Sequence, residues 1–261
     1  GRRRGRDAQR RMTSGPYAEL VAAHGLSAAH RLVLDAVPDG ARVLDVGCAT
    51  GYLAAELSRR GATVDGIEAD PAAAEQARAH CRHVIVGDLE APSTRAEVER
   101  LVIDTRLAGD LDAPRAGGER MLADARPDVV ICADVLEHLR DPWTVLAWLR
   151  TLLAPGGRAV ISVPNIAHWT ARRALLRGRF DYTDYGLLDR THLRFFTRVS
   201  AAELARRAGF AVREERLAGA PLPLESRVPA LGRARDRCVR RYPELLALQF
   251  VLVLAVDQPG P

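Results

Sequence analysis

Asp134, Glu137 and His138 occupy positions i, i+3 and i+4 immediately after an apolar run at 128–132. If the chain turns helical there, two carboxylates and an imidazole share one face. Such a set can bind a divalent cation, with a fourth ligand from elsewhere. His192, within Leu188-Asp-Arg-Thr-His-Leu-Arg-Phe-Phe-Thr197, is the fourth ligand the sequence supplies. Two oxygen and two nitrogen donors would accept Mg²⁺, Mn²⁺, Fe²⁺ or Zn²⁺ and leave room for an acceptor with neighbouring hydroxyls. The same residues carry a second chemistry, in which His138 or His192 takes a proton from an alcohol or phenol as general base. A third reading leaves Glu137 and His138 to organise a loop and His192 to pack beneath it.

A second group lies earlier. Val43-Leu-Asp-Val-Gly-Cys-Ala-Thr-Gly51 runs from an apolar strand through a turn into a helix, and Gly47 and Gly51 let the backbone approach a ligand without a Cβ in the way. The next strand ends in Glu68, 17 residues beyond Gly51, where a carboxylate can accept both hydroxyls of a ribose. A nicotinamide or flavin site wants G-x-G-x-x-G around a pyrophosphate. Here the spacing is Gly47-x-x-x-Gly51 with Asp45 ahead of it, and that charge repels a pyrophosphate but suits the ammonium end of S-adenosylmethionine.

These residues need a scaffold, and the alternation of strand-length apolar runs with helical patterns predicts an α/β fold with a mostly parallel sheet. Strands are expected at 42–46, 63–68, 83–87, 128–132 and 158–163. Asp70-Pro71 and Asp141-Pro142 are helix starts, for helices over 71–81 and 143–153. Residues 90–126 form a long excursion with a helix-like part at 95–107. Residues 165–198 follow a strand end and concentrate His168, Trp169, Phe180, Tyr182, Tyr185, His192, Phe195 and Phe196, as a lid over a ligand would. A helix at 200–208, a strand at 210–215, a Pro-rich link and a last strand within 245–256 complete a seven-stranded sheet with an antiparallel edge.

The 261 residues, 48% hydrophobic and 27% charged, exclude a disordered or fibrous chain. The net charge of +5 is matched by Arg2, Arg3, Arg4, Arg6, Arg10 and Arg11 against Asp7, so the rest is close to neutral and nucleic acid is a disfavoured partner. Residues 1–14 read as a disordered basic leader, 15–256 as one domain and 257–261 as a tail. Cys48, Cys81, Cys132 and Cys238 have no zinc or disulfide spacing. The longest apolar run is too short to span a bilayer, so a cytoplasmic protein with no membrane partner is expected.

Taken together, the chain resembles class I S-adenosylmethionine-dependent methyltransferases over residues 17–256. The motifs that carry the resemblance are 43–51, Asp65-Gly-Ile-Glu68, Gly87-Asp-Leu-Glu90, 128–132 with Ala133-Asp-Val-Leu-Glu-His138, and Leu153-Ala-Pro-Gly-Gly157. Ala49 stands where that family has its middle glycine. The resemblance implies a Rossmann-like fold in which Asp45 and Gly47 face the methionine part of the cofactor, Glu68 the ribose, and Asp88 and Leu89 the adenine. The acceptor side is similar to ubiquinone-biosynthesis O-methyltransferases and small-RNA 2′-O-methyltransferases, in which an acidic-x-x-Glu-His motif and a later histidine hold a metal. Here the first acid is Asp134 instead of glutamate.

Methyl transfer to a hydroxylated small molecule, a natural product or a glycan-related compound, is the leading expectation. Asn165 is a candidate hydrogen-bond donor to that substrate, and Trp169, Tyr182 and Tyr185 are candidate walls for it. The alternatives are an RNA 2′-O-methyltransferase and an NAD-dependent oxidoreductase on the same fold.

Overall fold

Seven short strands pair into one sheet, and their order fixes where a ligand can sit. The computed structural model describes residues 21, 25–108, 126–222, 225 and 228–257. The strands are β1 (Arg42–Val46), β2 (Thr63–Glu68), β3 (His83–Val86), β4 (Val129–Ala133), β5 (Arg158–Pro164), β6 (Phe210–Gly219) and β7 (Ala247–Val256). Their order across the sheet is β3-β2-β1-β4-β5-β7-β6. The first five strands run parallel, and β7 lies antiparallel between β5 and β6. All five residues of β4 are buried, as a central strand covered on both faces requires. Along β1, Leu44 and Val46 enter one apolar cluster and Val43 the other, so the period of two builds a core on each side.

Nine helices are described: α1 (Ala28–Leu34), α2 (Tyr52–Arg59), α3 (Pro71–Ala77), α4 (Pro92–Ala108), α5 (Pro142–Leu152), α6 (Trp169–Leu175), α7 (Arg198–Arg207), α8 (Pro229–Arg241) and α9 (Pro243–Leu246). The Asp-Pro starts form as expected. Asp70 accepts the Ala72 N–H at 2.9 Å and Asp141 accepts the Thr144 N–H at 3.1 Å. Among the described residues no helix is long and apolar enough to cross a membrane.

Some boundaries differ from expectation. Helix α3 stops at Ala77 because Ala79 and His80 bond back to Gln76 and Ala77, a tighter last turn. Strand β6 extends to Gly219 because β7 pairs with it as far as Ala247. The link expected to be irregular holds α8, whose one fully buried described side chain is Val239, too little to mark a helix by apolar period. The expected basic leader, residues 1–14, lies outside the described residues, as do 15–20 and 22–24 at the start of the expected domain, 109–125 of the excursion and 258–261 of the tail.

Strand order reverses between β1 and β4, since β1 pairs with β2 on one side and β4 on the other. In an open parallel sheet the crevice at the carboxyl ends of such strands is where ligands bind.

Candidate active site

The turn from β1 into α2 is built by residues in the left-handed region. Gly47 has φ 71°, and a Cβ there would meet Val135 Cγ2 at 2.5 Å, so the turn is pressed against the chain leaving β4. Gly51 heads α2 at φ 78°, 3.0 Å in the same sense from Ala77 Cα. Ala49 sits between them at φ 48°, which costs a residue with a side chain about 1–2 kcal/mol. Glu68, at the end of β2, holds this turn. One of its carboxylate oxygens accepts the Ala49 N–H at 2.9 Å and the other the Asp70 N–H at 2.8 Å.

Asp45 is 1% exposed and its Oδ2 has no partner. Burial, then the charge of Glu68, pushes its carboxyl up to about 7. A buried acceptor without a donor is expensive, so this atom marks a place for a cationic group. Burial likewise raises Glu68, against the pull of its backbone donors. On the neighbouring strand exit, Asp88 is exposed and accepts the Glu90 N–H at 2.8 Å, while Leu89 is buried.

The second group is assembled by the chain leaving β4 and by the segment after β5. Ligand atoms of Glu137, His138 and His192 all lie within 4.8 Å of one another. Their protons are positioned by the surroundings. The Thr191 hydroxyl donates to Asp189 Oδ1 at 2.7 Å, so at 3.1 Å it can only accept from His138 Nδ1, which leaves Nε2 of that ring with its lone pair. His192 Nδ1 is buried without a partner. Glu137 Oε2 is also buried without one. Burial, then the charge of Asp134, raises the Glu137 carboxyl well above its ordinary range, and burial lowers both imidazoles. A carboxylate and two imidazoles gathered this closely suit a divalent cation.

Asp134 is not part of that group, which corrects the expectation of a shared helical face. Residues Leu136–His138 form a 3₁₀ turn, and Asp134 precedes it at φ 55°. Its Oδ1 accepts from Ser162 Oγ at 2.9 Å and Gln249 Nε2 at 2.7 Å, partners on β5 and β7.

A family profile described as a methyltransferase domain matches residues 17–215. The chain belongs to the methyltransferase domain family. It is a class I S-adenosylmethionine-dependent methyltransferase by that match and by its sheet order. It is 35% identical over 127 residues to a ubiquinone biosynthesis O-methyltransferase of Alkalilimnicola ehrlichii, a match covering 49% of this chain and 43% of that one. The corresponding protein of Acinetobacter baylyi is 33% identical over 126 residues, 48% of this chain and 44% of its own. The chain thus spans less than half the length of these curated relatives. Among solved structures, an S-adenosylmethionine-dependent methyltransferase from Mesorhizobium loti matches 87% of this chain and 98% of its own with a TM-score of 0.53 at 17% identity. Magnesium protoporphyrin IX methyltransferase from Synechocystis, with S-adenosylhomocysteine bound, matches 87% of this chain and 80% of its own with a TM-score of 0.52 at 16% identity. At these identities the structures show a shared fold.

In this methyltransferase the expected substrate residues divide. Asn165 is fully buried, and its amide is spent on the main chain: Nδ2 donates to the Glu244 and Ala247 carbonyls and Oδ1 accepts from Ala167. It fastens the end of β5 to the start of β7. Trp169 is partly exposed beside His168 and carries the Arg173 guanidinium over its ring. A row of rings leads outward from His192 through Phe195 and Phe180 to Tyr182. Tyr182 and Tyr185 are exposed.

Sequence reasoning missed the residues that support the site. Asp189 and Thr191 stand inside the quoted Asp-Arg-Thr-His stretch, so their proximity to His192 was legible but their hold on His138 was not. His30, Tyr52, Ser162 and Gln249 come from α1, α2, β5 and β7, and no local spacing links them.

Proposed function

We propose that this methyltransferase transfers the methyl group of S-adenosylmethionine to an oxygen of a small hydroxylated molecule, a natural product or glycan-related compound, at a divalent ion held by Glu137, His138 and His192. The observation that carries the reading is the gathering of ligand atoms of Glu137, His138 and His192 within 4.8 Å of one another, with Glu137 Oε2 and His192 Nδ1 buried and unpartnered. The names of the curated relatives support oxygen as the acceptor.

The donor would lie along the crevice at the β1 turn. Asp45 and Gly47 would take the methionine part, Glu68 the ribose, and Asp88 with Leu89 the adenine. Glu68 has acceptor capacity left for ribose hydroxyls beyond its two backbone donors. When bound, the ion supplies Lewis acidity that lowers the pKa of the acceptor hydroxyl. The protein's own part is to fix the His138 tautomer, through Thr191, and to exclude water. The donor carries the reactivity, so alignment of the acceptor with the sulfonium methyl does most of the rest.

Residues 165–198 act as a lid in this reading. Gly178 and Gly186 have φ 67° and 92° with open space where a Cβ would go, as hinge positions need. The row of rings from His192 to Tyr182 would wall the acceptor, with Trp169 and Tyr185 at the rim. A second reading keeps His138 or His192 as general base without a metal; the same bare nitrogen on His192 favours it.

The test is to incubate the protein with methyl-labelled S-adenosylmethionine and a panel of catechols and vicinal diols. Label on an acceptor oxygen supports the reading. Label only on nitrogen or carbon acceptors in a parallel panel contradicts it.

A further inference from the structure

Asp134 follows β4 at φ 55°, and its neighbour Val135 is the residue against which Gly47 closes. Asp134 therefore stands beside the β1 turn. Ser162 and Gln249 pin its Oδ1. Oδ2 is left facing His30 Nε2 at 3.9 Å, with the side chain one-fifth exposed. The Tyr52 hydroxyl lies 3.5 Å from the same His30 nitrogen.

His30 itself is set by the start of α1. The Ser27 N–H donates to His30 Nδ1 at 3.3 Å, so the ring proton of the neutral imidazole sits on Nε2, toward Asp134 and Tyr52. Burial, then the charges of Asp134, Asp45 and Glu68, pushes the Tyr52 hydroxyl up, while β1 and β4 pair side by side and bring Asp45 and the chain leaving β4 to the same end of the sheet. Asp45 Oδ2 is buried there without a partner. His30 is the one basic group that the described contacts bring to Asp134, and burial keeps it from charging. Among the described residues no arginine is hydrogen-bonded or ion-paired to Asp134 or to Asp45 Oδ2.

We propose that Asp134, with His30 and Tyr52, binds the methionyl ammonium of the cofactor as a second carboxylate opposite Asp45, and is not a ligand of the ion at Glu137, His138 and His192. The inference rests on the reading that the crevice holds S-adenosylmethionine. In it, His30 is a positioning residue: its Nε2–H holds Asp134 Oδ2 and the Tyr52 oxygen toward the ligand. The ammonium would donate to Asp45 Oδ2 and Asp134 Oδ2, charge-assisted bonds that the adenosine part of the cofactor cannot make.

The experiment compares two probes by calorimetry: S-adenosylhomocysteine, which carries the ammonium, and 5′-methylthioadenosine, which lacks it. Asp134→Asn should weaken S-adenosylhomocysteine by about tenfold, the scale of one charge-assisted hydrogen bond, and leave 5′-methylthioadenosine within about twofold. Tyr52→Phe should weaken the first probe selectively by a smaller factor. Co²⁺ affinity, read from its absorption bands, should be unchanged in both variants. Loss of Co²⁺ binding with S-adenosylhomocysteine affinity intact would make Asp134 an ion ligand and overturn the proposal. Equal loss of both nucleosides in both variants, or of neither, would overturn it too. Wild-type protein that binds neither nucleoside would remove the cofactor reading and this one together.

Discussion

The rings of His138 and His192 stand edge to face with centroids 4.9 Å apart, although 54 residues separate them in the chain. What joins them is the main chain around Glu137, whose carbonyl accepts the N–H groups of both Leu193 and Arg194. The segment after β5 is thereby tied to the exit of β4, and the two imidazoles are brought to one carboxylate.

Thr191 controls one of those imidazoles, since its hydroxyl is committed to Asp189 and fixes the proton of His138 on Nδ1. Thr191→Val should lower divalent-ion affinity by about 10–100-fold, the usual scale for a lost outer partner of a metal ligand. S-Adenosylhomocysteine affinity should not change. Co²⁺ titration beside calorimetry checks both; an unchanged Co²⁺ affinity would mean that the tautomer is set elsewhere.

Asp45 predicts a pH dependence of cofactor binding. Its carboxyl is pushed up to about 7 in the free protein, so below that pH it carries a proton. An ammonium in the site favours the ionised form, so binding expels the proton. Affinity for S-adenosylhomocysteine should therefore climb with pH up to about 7 and then level, by at most about tenfold per pH unit. Asp45→Asn should bind more weakly and with a flat profile over that range.

Backbone strain in the β1 turn gives opposite expectations for two neighbours. Ala49→Gly relieves a left-handed φ of 48°, and after the entropy of a new glycine should leave stability unchanged or raised by up to about 1 kcal/mol. Gly47→Ala puts a Cβ 2.5 Å from Val135 Cγ2 at φ 71°, and should destabilise by more than 2 kcal/mol and weaken the cofactor. Urea denaturation of both variants measures the difference.

The expected role of Asn165 as a hydrogen-bond donor to the substrate and its observed main-chain bonds make different predictions. Asn165→Ala strands the buried carbonyl of Ala247 and removes a part-buried bond to that of Glu244, and should cost about 1–3 kcal/mol. KM for the acceptor, measured well below the melting temperature, should stay within about twofold. A large rise in KM with little loss of stability would restore the substrate role.

The parts of this architecture that local pattern encodes were legible in the sequence. Strands β1 to β5 declared themselves as apolar runs, and the Asp70-Pro71 and Asp141-Pro142 starts formed with the cap bonds that those residue types imply. Gly47 and Glu68 came to one turn because each sits at the end of a strand whose partner strand is its neighbour, and Gly51 follows at the head of α2. Asp134 shows where local spacing stops. Its i, i+3, i+4 relation to Glu137 and His138 has meaning only on an α-helix, whereas a left-handed residue and a 3₁₀ turn send its side chain to Ser162 and Gln249. Those partners lie 28 and 115 residues away, and no periodicity announces a bond of that kind. Helix α8 escaped for a different reason, since an arginine-rich exposed helix has too narrow an apolar face to leave a pattern.

The claim at the centre of this account is that an ion at Glu137, His138 and His192 activates the acceptor oxygen. Its most direct test is the rate of methyl transfer to a catechol before and after chelation, in the wild type and in Glu137→Gln, with S-adenosylhomocysteine affinity followed in parallel. The account predicts that chelation and Glu137→Gln each remove at least about 99% of turnover while cofactor affinity is kept, and that added divalent ion restores only the wild type. Full turnover in excess chelator, by protein shown to contain no metal, would contradict it and leave His138 and His192 as the competing bases.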